Sequence, residues 1–145
     1  MISSESLGFL KKLLDTPGPS GFEGGPAKVW REQAKKFAKV SGDVAGNSLA
    51  EVNGNGKPTI MLAGHIDEIG VIINYVDDQG YAYIQPIGGW DPQVLIGQRL
   101  RFIGPGGQEY DFRGGIQYRQ GQSQPVGIQP FAEIRQDPAL ALLEG

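Results

Sequence analysis

Thr59-Ile60-Met61-Leu62-Ala63 is a short, almost wholly apolar run that opens directly onto Gly64-His65-Ile66-Asp67. No other segment constrains the fold as much. A run of this kind predicts a strand covered on both faces, as at the centre of an α/β sheet. It also delivers a histidine at the strand's C-terminal end, the edge at which open α/β sheets bind their ligands. His65 is the only histidine in the chain, so a mechanism that needs two imidazoles cannot be built from one copy of it.

Ahead of this run the pattern is helical. Ser3 or Ser4 is placed to cap a first helix, with Glu5 in its first turn. Leu7, Leu10 and Leu14 recur at helical spacing, with Phe9 and Leu13 beside them. Thr16-Pro17-Gly18-Pro19 stops that helix, because proline disfavours helical geometry before it and has no N–H to donate. After a loop over 20–25, Pro26 suits the first position of a second helix. Trp30, Ala34 and Phe37 form its apolar stripe, and Lys35, Lys36 and Lys39 form a solvated C-terminal end. Residues 48–52 predict a strand, and Asn53-Gly54-Asn55-Gly56 a hairpin turn.

From Gly70 onward the pattern predicts a small antiparallel β unit. Strands over 70–75 and 81–84 are joined by a turn at Asp77-Asp78-Gln79-Gly80. A loop at Gly88-Gly89-Trp90-Asp91 leads to a strand over 99–103. Trp90 is expected to pack in this unit or at an interface, and Trp30 in the core of the helical part. Residues 104–130 are dense in Gly, Gln and Pro, and 131–143 predict one last short helix with Asp137-Pro138 at its start. There is no internal repeat.

Composition removes several function classes. The chain has 145 residues and no cysteine, which excludes disulfides and thiolate metal sites and requires no oxidising compartment. The N-terminus lacks the basic region and long apolar core of a signal peptide. No apolar run approaches the roughly 20 residues that span a bilayer. The expected location is the cytoplasm, with no membrane partner. A formal net charge of −3 gives no basic face for nucleic acid. Gly104-Pro105-Gly106-Gly107 is not a phosphate loop, because the Lys-Ser/Thr of such loops is absent.

The chemistry concentrates at His65 and Asp67. Neutral imidazole is a good ligand for zinc or cobalt. Asp67 lies two residues on, on the same side of an extended chain. There its carboxylate can accept the other ring N–H, fixing the tautomer and raising ligand basicity. A His-x-Asp pair read by itself is equally a surface turn or a simple hydrogen-bonded pair. No Ser-His-Asp triad is credible around the same histidine.

Four segments, in order, carry a resemblance. They are Leu13-Leu14-Asp15-Thr16-Pro17-Gly18-Pro19-Ser20-Gly21-Phe22-Glu23; Asp43-Val44-Ala45-Gly46-Asn47-Ser48-Leu49; Leu62-Ala63-Gly64-His65-Ile66-Asp67-Glu68-Ile69-Gly70; and Pro86-Ile87-Gly88-Gly89-Trp90-Asp91-Pro92-Gln93-Val94-Leu95 with Gly97-Gln98-Arg99-Leu100. Together they resemble the deblocking, or tetrahedral, dimetal aminopeptidases over about residues 10–103. The resemblance implies the N-terminal portion of a zinc-aminopeptidase-type α/β catalytic domain (1–69), followed by part of an inserted antiparallel β-barrel domain (70–103) that mediates dimer contacts. It implies two zinc or cobalt ions in the complete enzyme, with His65 a metal ligand and Asp67 its orienting partner. It also implies short peptides as substrates and dimers that assemble into hollow tetrahedral particles. The family's general base lies in a later Glu-Glu pair, so Glu68 is expected to be a surface or inter-subunit carboxylate.

The other ligands of that family, a bridging Asp, the Glu-Glu pair, a further Asp and a second His, have no counterpart here. The resemblance is read as ending near Phe102 or Gly104, with 104–145 a divergent tail produced by a frameshift, a truncation or genuine divergence. The expectation is a truncated aminopeptidase that is inactive by itself and holds at most one metal weakly. A non-catalytic interaction protein that self-associates or assembles with a full-length relative is the alternative, as is a relic.

Overall fold

A computed structural model describes residues 2–78, 81–95, 98–112, 116–118, 125–128 and 140–143. The chain falls into two compact units, Met1–Glu68 and Ile69–Gly145.

In the first unit, helix α1 (Ser4–Leu14) is capped by Ser3, whose side chain accepts from the Ser6 N–H at 3.1 Å. Helix α2 (Gly24–Ala34) starts after Glu23, so Pro26 takes its third position rather than the first. That is still inside the first turn, where a missing N–H costs nothing. Pro26, Ala27 and Ala34 are buried, and Trp30 is half-buried.

Two expected stripes are corrected. Phe9 and Leu13 are the half-buried residues of α1, whereas Leu7, Leu10 and Leu14 face solvent. Phe37 lies past the end of α2 and is also exposed. Helix α1 packs mainly along α2, and one line of contact covers only a narrow strip of a helix. Lys36 Nζ reaches Glu5 at 3.4 Å in exposed surface, in keeping with a solvated helix end.

Strands β1 (Lys39–Gly42) and β2 (Ser48–Glu51) pair antiparallel. Asp43 closes the loop between them. Its Oδ1 accepts from the backbone N–H groups of Ala45 and Asn47, and its Oδ2 accepts from the Asn47 amide at 2.8 Å. Gly46 supplies the positive φ of 89° that the turn needs. The hairpin therefore sits one strand earlier than the Asn-Gly signal at 53–56 suggested. That signal does form a turn, closed by Gly56 N–H on the Asn53 carbonyl at 2.8 Å.

The largest correction falls on residues 59–63, which are not a buried strand. They form no strand, and Ile60, Met61 and Leu62 are 78%, 84% and 92% exposed. A strand covered on both faces needs paired backbone at its edges and side chains above and below. Between residues 57 and 68 the one bridge among the described residues joins Glu68 to Pro19.

Among the described residues, the second unit forms a seven-stranded antiparallel sheet. Its strands are β3 (Gly70–Val76), β4 (Ala82–Ile87), β5 (Leu100–Ile103), β6 (Glu109–Phe112), β7 (Ile116–Tyr118), β8 (Pro125–Ile128) and β9 (Leu140–Leu143), in the order β6-β5-β9-β3-β4-β8-β7. Alternate residues of β3 and β4 point inward. Val71, Ile73, Ala82 and Ile84 meet Leu95, Leu100 and Phe102 in one core, against which Trp90 packs. The Trp90 indole N–H is satisfied by the Ile87 carbonyl at 3.1 Å. At the β3–β4 turn Asp77 accepts from the Tyr81 N–H at 2.9 Å; residues 79 and 80 lie outside the described ones.

The helix expected over 131–143 is corrected where it is described. Residues 131–139 lie outside the described residues, but Leu140–Leu143 is a strand seated between β3 and β5. A short apolar run fits either element, and two flanking strands decide it. Strands β6 to β9 also give the region after Gly104 ordered partners in the same sheet.

Candidate functional site

The site lies within the first unit, where residues 65–68 run beside the loop that follows α1. Pro19-Ser20-Gly21-Phe22 is a turn closed by the Phe22 N–H on the Pro19 carbonyl at 2.7 Å. Gly21, at φ 92°, provides the positive φ that a type II turn requires at its third residue. Pro19 is fully buried. Glu68 ties this loop to the segment: its Oε1 accepts from the Gly18 N–H at 2.7 Å, and its own N–H donates to the Gly18 carbonyl at 3.0 Å. Glu68 is a half-buried carboxylate bound within its own chain, and no general-base role is assigned to it.

His65 and Asp67 come together as the sequence predicts. His65 Nδ1 lies 2.9 Å from Asp67 Oδ1 and 3.2 Å from the Asp67 carbonyl oxygen. Both oxygens only accept, so Nδ1 carries the hydrogen, and the lone pair of the neutral ring sits on Nε2. Asp67 Oδ2 takes the Ser20 hydroxyl at 2.5 Å, within the range of charge-assisted O–H···O⁻ bonds. The Ser20 hydroxyl first, and the His65 ring second, hold the Asp67 carboxyl below its ordinary value of 3.8. Asp67 is therefore ionised near neutrality.

Ser20 escaped the sequence reading. It lies 47 residues from Asp67, and no local pattern signals a contact made at that distance along the chain. Among the described residues no three His, Cys, Asp or Glu side chains gather as metal ligands. Among the described residues, the His65–Asp67 pair would fit a single coordination position, at His65 Nε2.

The fold, mixed helix and strand, matches part of solved aminopeptidases. It superposes on the TET aminopeptidase of a marine-sediment Thaumarchaeota archaeon with a TM-score of 0.80 at 25% identity, over 96% of this chain and 44% of that one. It also superposes on the Pyrococcus horikoshii TET1 peptidase, which assembles into a tetrahedron or a large octahedral shell. Here the TM-score is 0.71 at 25% identity, over 95% of this chain and 46% of that one. The sequence profile of the M42 glutamyl aminopeptidases matches residues 46–124, and the chain belongs to that family. The match runs past residue 104, where the sequence resemblance was expected to end. The lysyl aminopeptidase of Pyrococcus furiosus is 38% identical over 103 residues, 70% of this chain and 30% of that protein. The chain thus spans about a third of that relative's length and under half of each structural neighbour's.

Proposed function

We propose that this chain contributes the N-terminal part of a two-metal aminopeptidase site, and that the 145-residue polypeptide by itself does not turn over peptides. The observation that carries the reading is the His65–Asp67 pair, whose hydrogen bond leaves Nε2 as the donor atom, in a chain of the M42 family. His65 would hold one divalent cation, zinc or cobalt, and Asp67 would fix the ring. When bound, the metal pair of such an enzyme supplies Lewis-acid polarisation of the scissile carbonyl. This chain's residues contribute a ligand atom and its orientation. The remaining ligands would come from elsewhere, because the sequence has one histidine and, among the described residues, no three His, Cys, Asp or Glu side chains gather.

Short peptides with a free N-terminus are the substrate class on this reading, and the cytoplasm is its place of action. The unit Ile69–Gly145 would serve self-association or assembly with a full-length relative, supported by the shells that the Pyrococcus horikoshii neighbour forms. Closure of its sheet into a barrel belongs to this proposal.

The test is zinc and cobalt titration of the purified chain, followed by assays on aminoacyl chromogenic substrates. The expected result is weak binding of at most one ion, lost in His65→Ala, and no turnover. Metal-dependent cleavage by the chain alone would overturn the reading.

A further inference from the structure

We infer that Ser20 is a positioning residue for His65: it holds the far oxygen of the Asp67 carboxylate and so fixes which imidazole nitrogen is offered to a ligand. The inference deepens the proposed function and rests on the reading of His65 as a metal ligand.

The need for such a residue follows from exposure. The His65 side chain is 85% exposed, so packing does not hold the ring, and only hydrogen bonds choose its tautomer. Asp67 provides those bonds, yet a carboxylate bonded at one oxygen still rocks about a broad terminal torsion. It is also 36% exposed, so water competes for it. Ser20 bonds the second oxygen at 2.5 Å while His65 bonds the first at 2.9 Å. With both oxygens engaged, the carboxylate plane is set and the acceptor faces Nδ1.

Ser20 is itself well placed. It sits at the second position of the Pro19–Phe22 turn, beside a buried proline whose neighbour Gly18 is bonded twice to Glu68. The hydroxyl is therefore delivered by backbone bonded to the same segment that carries His65.

A single histidine makes the test direct, because one imidazole gives one set of ring nitrogen resonances. The full chain is labelled with 15N and its ring correlations are recorded without metal at about pH 8.5, where an ordinary imidazole is neutral. The wild-type ring should be protonated at Nδ1. Ser20→Ala should shift it toward the Nε2-protonated form, and Ser20→Thr, which keeps the hydroxyl, should restore the wild-type pattern. Zinc affinity should fall on the order of 10-fold in Ser20→Ala, the low end for groups standing behind a metal ligand. A folded Ser20→Ala chain with an unchanged tautomer would overturn the inference.

If Ser20→Ala does not fold, the wild-type chain decides the matter. A Ser20 hydroxyl proton protected from exchange supports the bond to Asp67, and a freely exchanging one overturns it. The ring tautomer is read without metal, so failure of zinc to perturb Nε2 in wild type would count against the proposed function and leave the tautomer result to judge Ser20.

Discussion

Glu68 holds Gly18 by two hydrogen bonds, one in each direction: the carboxylate accepts the Gly18 N–H at 2.7 Å, and the Glu68 N–H reaches the Gly18 carbonyl at 3.0 Å. Glu68→Ala should therefore destabilise the first unit by about 1.5–3 kcal/mol, the range for a bond to a charged group. Glu68→Gln should cost less, because its amide oxygen still accepts. The urea midpoint at unchanged slope is the measurement. A wild-type midpoint in Glu68→Ala would show that the clamp carries no stability.

Gly21 sits at φ 92°, where a β-carbon meets its own backbone. Gly21→Ala should cost roughly 1–2 kcal/mol, although the glycine has open space around it. The strain should also disturb the neighbouring Ser20. Both effects are read together, by denaturant midpoint and by the His65 ring spectrum; an unshifted midpoint would contradict the turn geometry.

Leu62 and Leu100 are the same residue type at opposite extremes, 92% and 1% exposed. Leu62→Ser should change stability by no more than about 0.5 kcal/mol and should reduce self-association of the chain. Leu100→Ser should cost more than about 3 kcal/mol, since it empties a core position and buries a hydroxyl. Thermal unfolding with sedimentation separates the two. Equal losses would mean that residues 59–63 are covered.

Asp43 lies below its ordinary value of 3.8, chiefly through the Asn47 side-chain amide and then through the backbone N–H groups of the loop. A depressed carboxyl contributes stability that is present above its unfolded value and lost as pH falls through the folded one. The β1–β2 loop should therefore hold at neutral pH and loosen only below about pH 3.8. The Asn47 amide resonances report it, and Asp43→Asn should remove that pH step. A midpoint above 3.8 would contradict the network.

Part of this molecule was legible locally. The Ser3 cap, the break at Pro17, the turn at Asp77 and the alternation of Val71 and Ile73 each depend on neighbours a few residues away. The same is true of His65 and Asp67, whose contact needs a spacing of two residues and nothing more. Helix faces were less legible: Phe9 and Leu13 share the same spacing as Leu10 and Leu14, and only the position of α2 chooses between them. Leu140–Leu143 was read as helix because a short apolar run carries no period of its own.

The sequence by itself determined the family, the start and stop of α1, the β character of residues 70–103 and the His65–Asp67 pair, because these rest on local sterics, short-range hydrogen bonds and motif order. Tertiary structure decided the rest. It brought Ser20 to Asp67 across 47 residues and Gly18 to Glu68 across 50, and seated β9 between β3 and β5. It also left Ile60, Met61 and Leu62 in solvent. The reason is that hydrophobicity says a segment gains by burial, but only an adjacent surface with free hydrogen-bonding edges determines whether it is buried and against what.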